Sequence, residues 1–420
     1  MPTRRYTGQS RDAEGGFLKI LLLTDIPPCK KYTGGLVLDQ LCRLLPVGSL
    51  ACFAVVHPAA TDARLSPDLD WIPIRYYDKP EEFRRKFPGR LRPFNTLYSM
   101  VMEAYNSFVT STKIADEIVA FAREHGATAL WCVLEGQTVI QLALPVSRRL
   151  NIPLFTEVWD PPQWWLKENC VDNVSTRRII ACFEDALRAS KGCYAASWAM
   201  AENYAADYGV KTSVFTPSID KRHALPPAKQ MRDEHTLTIG FAGVIYMLEE
   251  WESLLVALDS VNWNIGGREV KLRVLSREAN FRCFTGRNIE YLGFRTQEET
   301  IRLLSETDIQ YCPYWFNQDY ALEAKLSFPS KLTTYFAAGR PVFFHGPKYA
   351  SPALFLKKHK AGVLCHTLKK AGIIQSLHDF VSRPELYEEL ARNGSSAFYE
   401  YCTLESLQKS FSDFLNINES

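Results

Sequence analysis

The chain has 420 residues, 46% hydrophobic and 23% charged, the make-up of a soluble globular protein longer than one hydrophobic core usually serves. A formal net charge of +2 excludes a global electrostatic pull toward nucleic acid, so any such targeting must be local. Eleven cysteines are scattered singly, with no CxxC pair and no metal-ligand spacing, and read as small core residues of a reducing compartment.

The first seventeen residues are polar and carry no apolar stretch of signal-peptide type. No window reaches the apolar length of a transmembrane helix. The expected location is therefore cytoplasmic, with membrane contact only from the surface. Residues 18–24 form a short apolar run, typical of a parallel strand buried on both faces. A turn over 25–28 follows, then Gly34 and Gly35 lead into an amphipathic helix through 45. Strand-like runs recur at 50–56, 128–134, 152–158 and 192–196, and helical patterns at 96–124, 137–150, 176–189 and 199–208 separate most of them. From 216 to 236 the pattern breaks into prolines and charges, as a linker would. A second series has strands at 237–242, 270–275, 289–293, 309–313, 341–344 and 362–365, with helices at 249–261 and 296–305. Residues 384–415 read as two consecutive helices. Such alternation implies right-handed crossovers and doubly wound parallel sheets, so the expected class is α/β with two Rossmann-like domains facing a cleft. The expected division is a tail 1–17, a first domain 18–216, a linker 217–236, a second domain 237–383, and helices 384–420 that cross back to the first domain. Ligands of such sheets bind beyond the carboxyl ends of the strands.

The segment 327–342, SFPSKLTTYFAAGRPV, carries the most chemistry. Pro329 suits the first turn of a helix, Leu332, Tyr335 and Phe336 share one apolar face, and Gly339 ends it before a strand. The loop before such a helix presents free N–H groups and the positive end of a dipole, where Ser330 and Lys331 add a hydroxyl and a cation suited to phosphate. The same pattern also fits an ordinary αβ unit. Arg277 follows the strand 270–275 at its carboxyl end and is a second candidate cation. Glu157, Trp159 and Asp160 follow the strand 152–156, with Trp164 and Trp165 close behind; the aromatic rings either stack on a ligand or wedge the loop. Residues 84–94 hold Arg84, Arg85, Lys86, Arg90 and Arg92 among Phe87, Leu91 and Phe94, a make-up open to anionic lipid, nucleic acid or plain solvation. Gly240 and Gly243 lack the third glycine of a dinucleotide fingerprint, which counts against an NAD-dependent dehydrogenase, and no Walker A sequence occurs.

From Lys19 to the C-terminus the order of these segments resembles the GT-B glycosyltransferases, especially the retaining family-four group. Gly34 and Gly35 look like that family's N-terminal loop, where the backbone approaches the donor diphosphate or the acceptor. Residues 194–203 and 214–220 resemble the units that close its first domain, and 238–243, ending at Gly243, its first nucleotide-domain strand. Residues 288–294, ending at Phe294, resemble the segment that meets the base. The stretch with Phe328, Pro329, Ser330, Lys331 and Thr334 resembles the loop and helix that grip a nucleotide sugar. There are departures. The family's arginine after the Gly243 position and its nearby lysine fall on Val244 and on Leu248 or Glu249. Its paired glutamates fall on Leu326 and Thr334, the second being the usual ribose ligand, with Glu323 and Lys325 near the first. A subgroup with a Pro-Ser-Lys segment, acting in bacterial polysaccharide assembly, also loses the first glutamate.

The resemblance implies transfer of a sugar from a nucleotide-sugar donor to a glycan or lipid-linked acceptor, with retention, in cell-surface polysaccharide assembly. The first domain would take the acceptor and the second the donor. Asp160, Glu157 and Lys331 are the catalytic candidates. Gly34, Gly35, Gly243, Arg277, Phe294, Phe328, Pro329, Ser330, Lys331 and Thr334 are the donor-binding ones. No metal or other cofactor and no nucleic acid are expected; an anionic membrane surface meeting 84–94 is an expected partner. The alternatives are an inverting transferase with Asp160 as base, and a catalytically silent nucleotide-sugar-binding protein.

Overall fold

The structure, a computed structural model, describes residues 18–82, 94–278 and 288–415. The cations of 84–92 lie outside the described residues. The chain divides into two compact units, one of residues 1–215 with 408–420 and one of residues 216–407.

The first unit is built on a seven-stranded parallel sheet: β1 (Ile20–Thr24), β2 (Leu50–Val56), β3 (Ile74–Asp78), β4 (Ala129–Val133), β5 (Leu154–Val158), β6 (Gly192–Ala195) and β7 (Thr212–Val214), in the order β3-β2-β1-β4-β5-β6-β7. All residues of β1, β2, β4, β5 and β6 are buried, so these strands are spelled as unbroken apolar runs. The edge strand β3 was missed by the sequence pattern because it is half-exposed, reading Ile74-Arg-Tyr-Tyr-Asp78. The expected helix over 96–124 is three pieces, Asn95–Tyr105, a π-helical turn Asn106–Thr110, and Ser111–Glu124. The expected loop holding Trp164 and Trp165 is a short helix, Pro162–Glu168, started by its proline.

The end of the chain completes this core. In the helix Leu404–Leu415, Phe414 stacks on Tyr194 with ring centroids 4.9 Å apart, and Phe411 lies 5.1 Å from Trp131. All four rings are buried.

The second unit repeats the plan. Its strands are β8 (Thr236–Ala242), β9 (Asn264–Ile265), β10 (Arg268–Leu275), β11 (Ile289–Tyr291), β12 (Ile309–Pro313), β13 (Val342–His345) and β14 (Gly362–Cys365). The order is β11-β10-β8-β12-β13-β14, all parallel, with β9 antiparallel beside β10. Trp251 anchors the core edge-on against Phe241 and Tyr311, at 4.9 and 4.8 Å. The proline-rich stretch 217–236 is held to this unit, through Leu225 N–H to the Ala337 carbonyl and Ala228 N–H to the Gly339 carbonyl. Gly339 has a φ of +67°, and a side chain there would meet the Pro226 carbonyl at 2.5 Å. Among the described residues no helix is long and apolar enough to cross a membrane.

Burial of the two terminal phenylalanines makes a direct test. Phe411→Ala and Phe414→Ala are each expected to destabilise the first unit by about 3–5 kcal/mol in denaturant unfolding.

Candidate functional site

At the carboxyl end of β8 the chain turns at Gly243, with a φ of +112°, a conformation that favours glycine. Into this turn comes the side chain of Lys331, the first residue of the helix Lys331–Ala337. A side chain at Gly243 would stand 4.0 Å from the Lys331 Cε. The Lys331 ammonium nitrogen is buried and has no hydrogen-bond partner among the described residues. It lies 4.6 Å from the centroid of Phe241 and 5.3 Å from that of Tyr246. Burial lowers its pKa from that of a free lysine, while the two ring faces favour the charged form. A buried ammonium with no anion is costly, and a bound anion removes the cost.

The other donor-side candidates surround this point unevenly. Pro329 is buried, Ser330 exposed, and Phe328 packs edge-on against Phe355 at 5.2 Å. The Thr334 hydroxyl accepts from Gln297 Nε2 at 3.0 Å. Past the end of the neighbouring β10, the exposed Arg277 guanidinium sits 5.9 Å from the Phe294 ring. Glu323, near the position of the family's first glutamate, is buried. The sequence reading missed the aromatic shelf beside Lys331. There Trp315 lies 5.5 Å from Tyr246 and stacks on Tyr320 at 5.6 Å. Trp315 and Tyr320 share the connection after β12, where Tyr314-Trp315-Phe316 is a visible aromatic run, but Tyr246 comes from another loop, so their meeting is not announced by the sequence.

In the first unit, Glu157 and the glycine pair are brought together, through Trp159. Glu157 is buried at the end of β5, and both its oxygens accept indole N–H groups, from Trp131 at 2.9 Å and Trp159 at 2.6 Å. Burial pushes its pKa up to about 7, the two indoles acting against the rise. Trp159, so held, covers Gly34, where a side chain would come within 2.3 Å of the indole. Gly35 is as close to the Cys29 sulfur, again 2.3 Å from where its Cβ would be. With its oxygens engaged, Glu157 is placed to position Trp159, and Asp160 stands half-buried just beyond. In the helix that follows, the Gln163 Oε1 and Trp164 Nε1 atoms are buried with no hydrogen-bond partner among the described residues.

A charged cluster here escaped the sequence reading. Lys79, just past β3, reaches Asp25 at 3.2 Å and Glu82 at 3.0 Å, with all three side chains largely buried. Burial works against the Lys79 charge, but the two carboxylates outweigh it and hold its pKa above that of a free lysine. The other Glu82 oxygen accepts from Thr138 N–H at 2.6 Å, so a carboxylate already occupies the start of the helix Gln137–Leu150. Burial, then Asp25 and Asp160, raises the Glu135 pKa well above the carboxylate range. Among the described residues no cluster could hold a metal ion.

No protein-family model matches the chain, and no curated protein matches its sequence. Solved structures do match, nearly end to end. HepE of Anabaena in complex with UDP superposes with a TM-score of 0.61 at 14% identity, covering 95% of this chain and 100% of that one. Sucrose-phosphate synthase of Thermosynechococcus elongatus gives 0.62 at 11%, covering 95% and 98%. WaaB, a lipopolysaccharide outer core galactosyltransferase, gives 0.61 at 12%, covering 95% and 99%. These structures are GT-B glycosyltransferases, and the two Rossmann-like units of this chain have the same fold.

The Glu157 arrangement predicts a pH dependence. A carboxyl raised from 4.5 to about 7 holds its proton more tightly in the folded than in the unfolded chain. The stability so gained, about 3 kcal/mol, is complete below pH 4.5 and lost as the pH rises through about 7. Denaturant unfolding across that range is expected to show the loss in the wild type and a flatter profile in Glu157→Gln. Parallel profiles would refute it.

Proposed function

We propose that the chain is a glycosyltransferase that takes a sugar from a nucleotide-sugar donor held by the second unit. The observation that carries this reading is the buried, unpartnered ammonium of Lys331 between Phe241 and Tyr246, at the carboxyl end of β8. Nucleotide ligands of open α/β sheets lie at that end of the strands. The likeness to HepE, whose structures include complexes with UDP and with UDP-glucose, supports a nucleotide-sugar donor. Val244 and Leu248 leave that turn without the two cations of the usual pattern. Lys331 is then the point charge that meets the diphosphate as the sugar departs, with Arg277 as a second cation.

The acceptor in this reading is a glycan or a lipid-linked sugar, and the product a cell-surface polysaccharide or one of its precursors. Asp160 hydrogen-bonds a sugar hydroxyl. The transfer proceeds with retention, the departing diphosphate taking the acceptor proton on the face from which it leaves. The Pro-Ser-Lys segment at 329–331 supports a place in the polysaccharide-assembly subgroup.

A panel of nucleoside diphosphates and their sugars, screened by thermal shift and then by calorimetry, tests the donor site. Lys331→Met is expected to bind the best diphosphate at least about tenfold more weakly, since a charged hydrogen bond contributes about 1.5–3 kcal/mol. The same variant is expected to melt no lower than the wild type, because it removes a buried charge. Wild-type affinity should fall as pH rises through the Lys331 pKa, which lies below 10.5, and binding should take up protons at alkaline pH. Equal affinities in a folded variant would remove Lys331 from the donor site.

Asp160→Asn is expected to lower turnover by at least about 100-fold while leaving diphosphate affinity unchanged, the signature of a group acting on the acceptor. Binding of a nucleotide sugar with neither hydrolysis nor transfer would instead mark a silent sugar-nucleotide-binding protein.

A further inference from the structure

We propose that the donor site of the second unit is indifferent to the 2′-hydroxyl, so that it takes 2′-deoxyribonucleoside diphosphates as readily as ribonucleoside ones. This deepens the donor-site reading and rests on it. The order of groups leading away from Lys331 carries the inference. Lys331 opens the helix Lys331–Ala337, and its buried ammonium has no hydrogen-bond partner among the described residues, which suits a phosphate. Thr334 stands one turn on, about 4.5 Å along the axis and on the same side of that helix. Its hydroxyl accepts from Gln297 Nε2 at 3.0 Å. Gln297 in turn opens the helix Gln297–Ser305. Three residues before it Phe294 is 51% exposed, with the Arg277 guanidinium 5.9 Å from the centroid of its ring. A place for an anion, a neutral polar pair, and a ring beside a guanidinium therefore follow one another. Phosphate, pentose and base have the same order in a nucleotide, the base stacking on such a ring, and Gln297 with Thr334 falls to the pentose.

What this pair lacks decides the specificity. A site rejects an analogue without a hydroxyl when the missing group leaves a buried polar or charged atom unpaired. Nothing of that kind stands here. Thr334 and Gln297 are neutral and already bonded to each other. Gln297 is also exposed, so water supplies whatever a sugar hydroxyl does not. The two carboxylates that follow in the same helix do not change this. Glu298 lies about 100° further round the helix than Gln297. Glu299 is turned back on the helix start, its Oε2 accepting from the Thr296 hydroxyl at 2.9 Å and the Thr296 N–H at 3.1 Å. A pentose that lacks one hydroxyl thus strands no charge.

Calorimetry of the full-length protein with uridine, cytidine, adenosine and guanosine diphosphates, each beside its 2′-deoxy form, tests this. For the base that binds best, the two dissociation constants are expected to agree within about threefold. Thr334→Glu sets a carboxylate beside Gln297 and is expected to bind the ribose form at least about tenfold more tightly than the deoxy form. Gln297→Ala is expected to weaken both forms alike, by about fivefold, and to leave their ratio unchanged. Melting temperatures near that of the wild type show that the variants are folded. A wild-type preference for ribose of about tenfold or more would overturn the proposal, as would an unchanged ratio in folded Thr334→Glu. Either result needs a bound diphosphate and so leaves the donor site standing. Binding of none of these compounds would remove the donor site itself, and this inference with it.

Discussion

A parallel strand buried on both faces has no side chain to spare for chemistry, and that constraint organises this protein. Five of the seven strands in the first unit are wholly buried, so reactive groups can stand only where strands end. Both candidate sites obey it. Gly243 and Lys331 meet past the end of β8, and Glu157 is the next-to-last residue of β5, with Trp159 and Asp160 just beyond the strand. In each place a group that would rather be hydrated is withheld from water. Lys331 is given two aromatic faces and no anion, whereas Glu157 is given two indole donors and no cation. The first arrangement leaves a charge for a ligand to satisfy. The second is complete in itself and fixes a ring in place.

The two sheets were legible in the sequence because burial on both faces spells continuous apolar runs. The strands at 50–56, 309–313 and 362–365 and the helix at 137–150 were read to the residue. What escaped was whatever lacked that signature. The half-exposed edge strand β3 mixes charge with tyrosine, and the helix Pro162–Glu168 was hidden by its prolines and tryptophans. The helix Asn95–Tyr105 was found from its periodicity, but periodicity gives no orientation; only the structure shows its polar side turned inward.

The candidate sites were legible in position more than in detail. Lys331 stood out from its place at the start of a helix followed by Gly339-Arg-Pro-Val342, but its aromatic neighbours Phe241 and Tyr246 come from far along the chain. The Lys79 cluster joins residues from three segments, Asp25, Lys79 with Glu82, and Thr138, and no linear spacing ties the three together. Glu157 looked like a reactive carboxylate because it ends a strand, whereas its partners show it engaged. Long-range pairing of polar groups is what single-sequence reasoning loses, since a partner's identity says nothing about its distance.

The return of Phe411 and Phe414 to the first unit has a consequence for synthesis. Trp131, Phe155 and Tyr194 belong to strands made early, yet the rings that cover them emerge only after the whole second unit. A domain emerging from the ribosome usually folds as it appears, N-terminal part first. Here the second unit can close its own sheet on the ribosome while the first waits with an open aromatic pocket. The nascent chain thus carries a sticky patch for most of its translation time, and a product truncated before 408 keeps it for good. The helix Leu404–Leu415 therefore ties the covering of a sheet made early to residues made after the second unit.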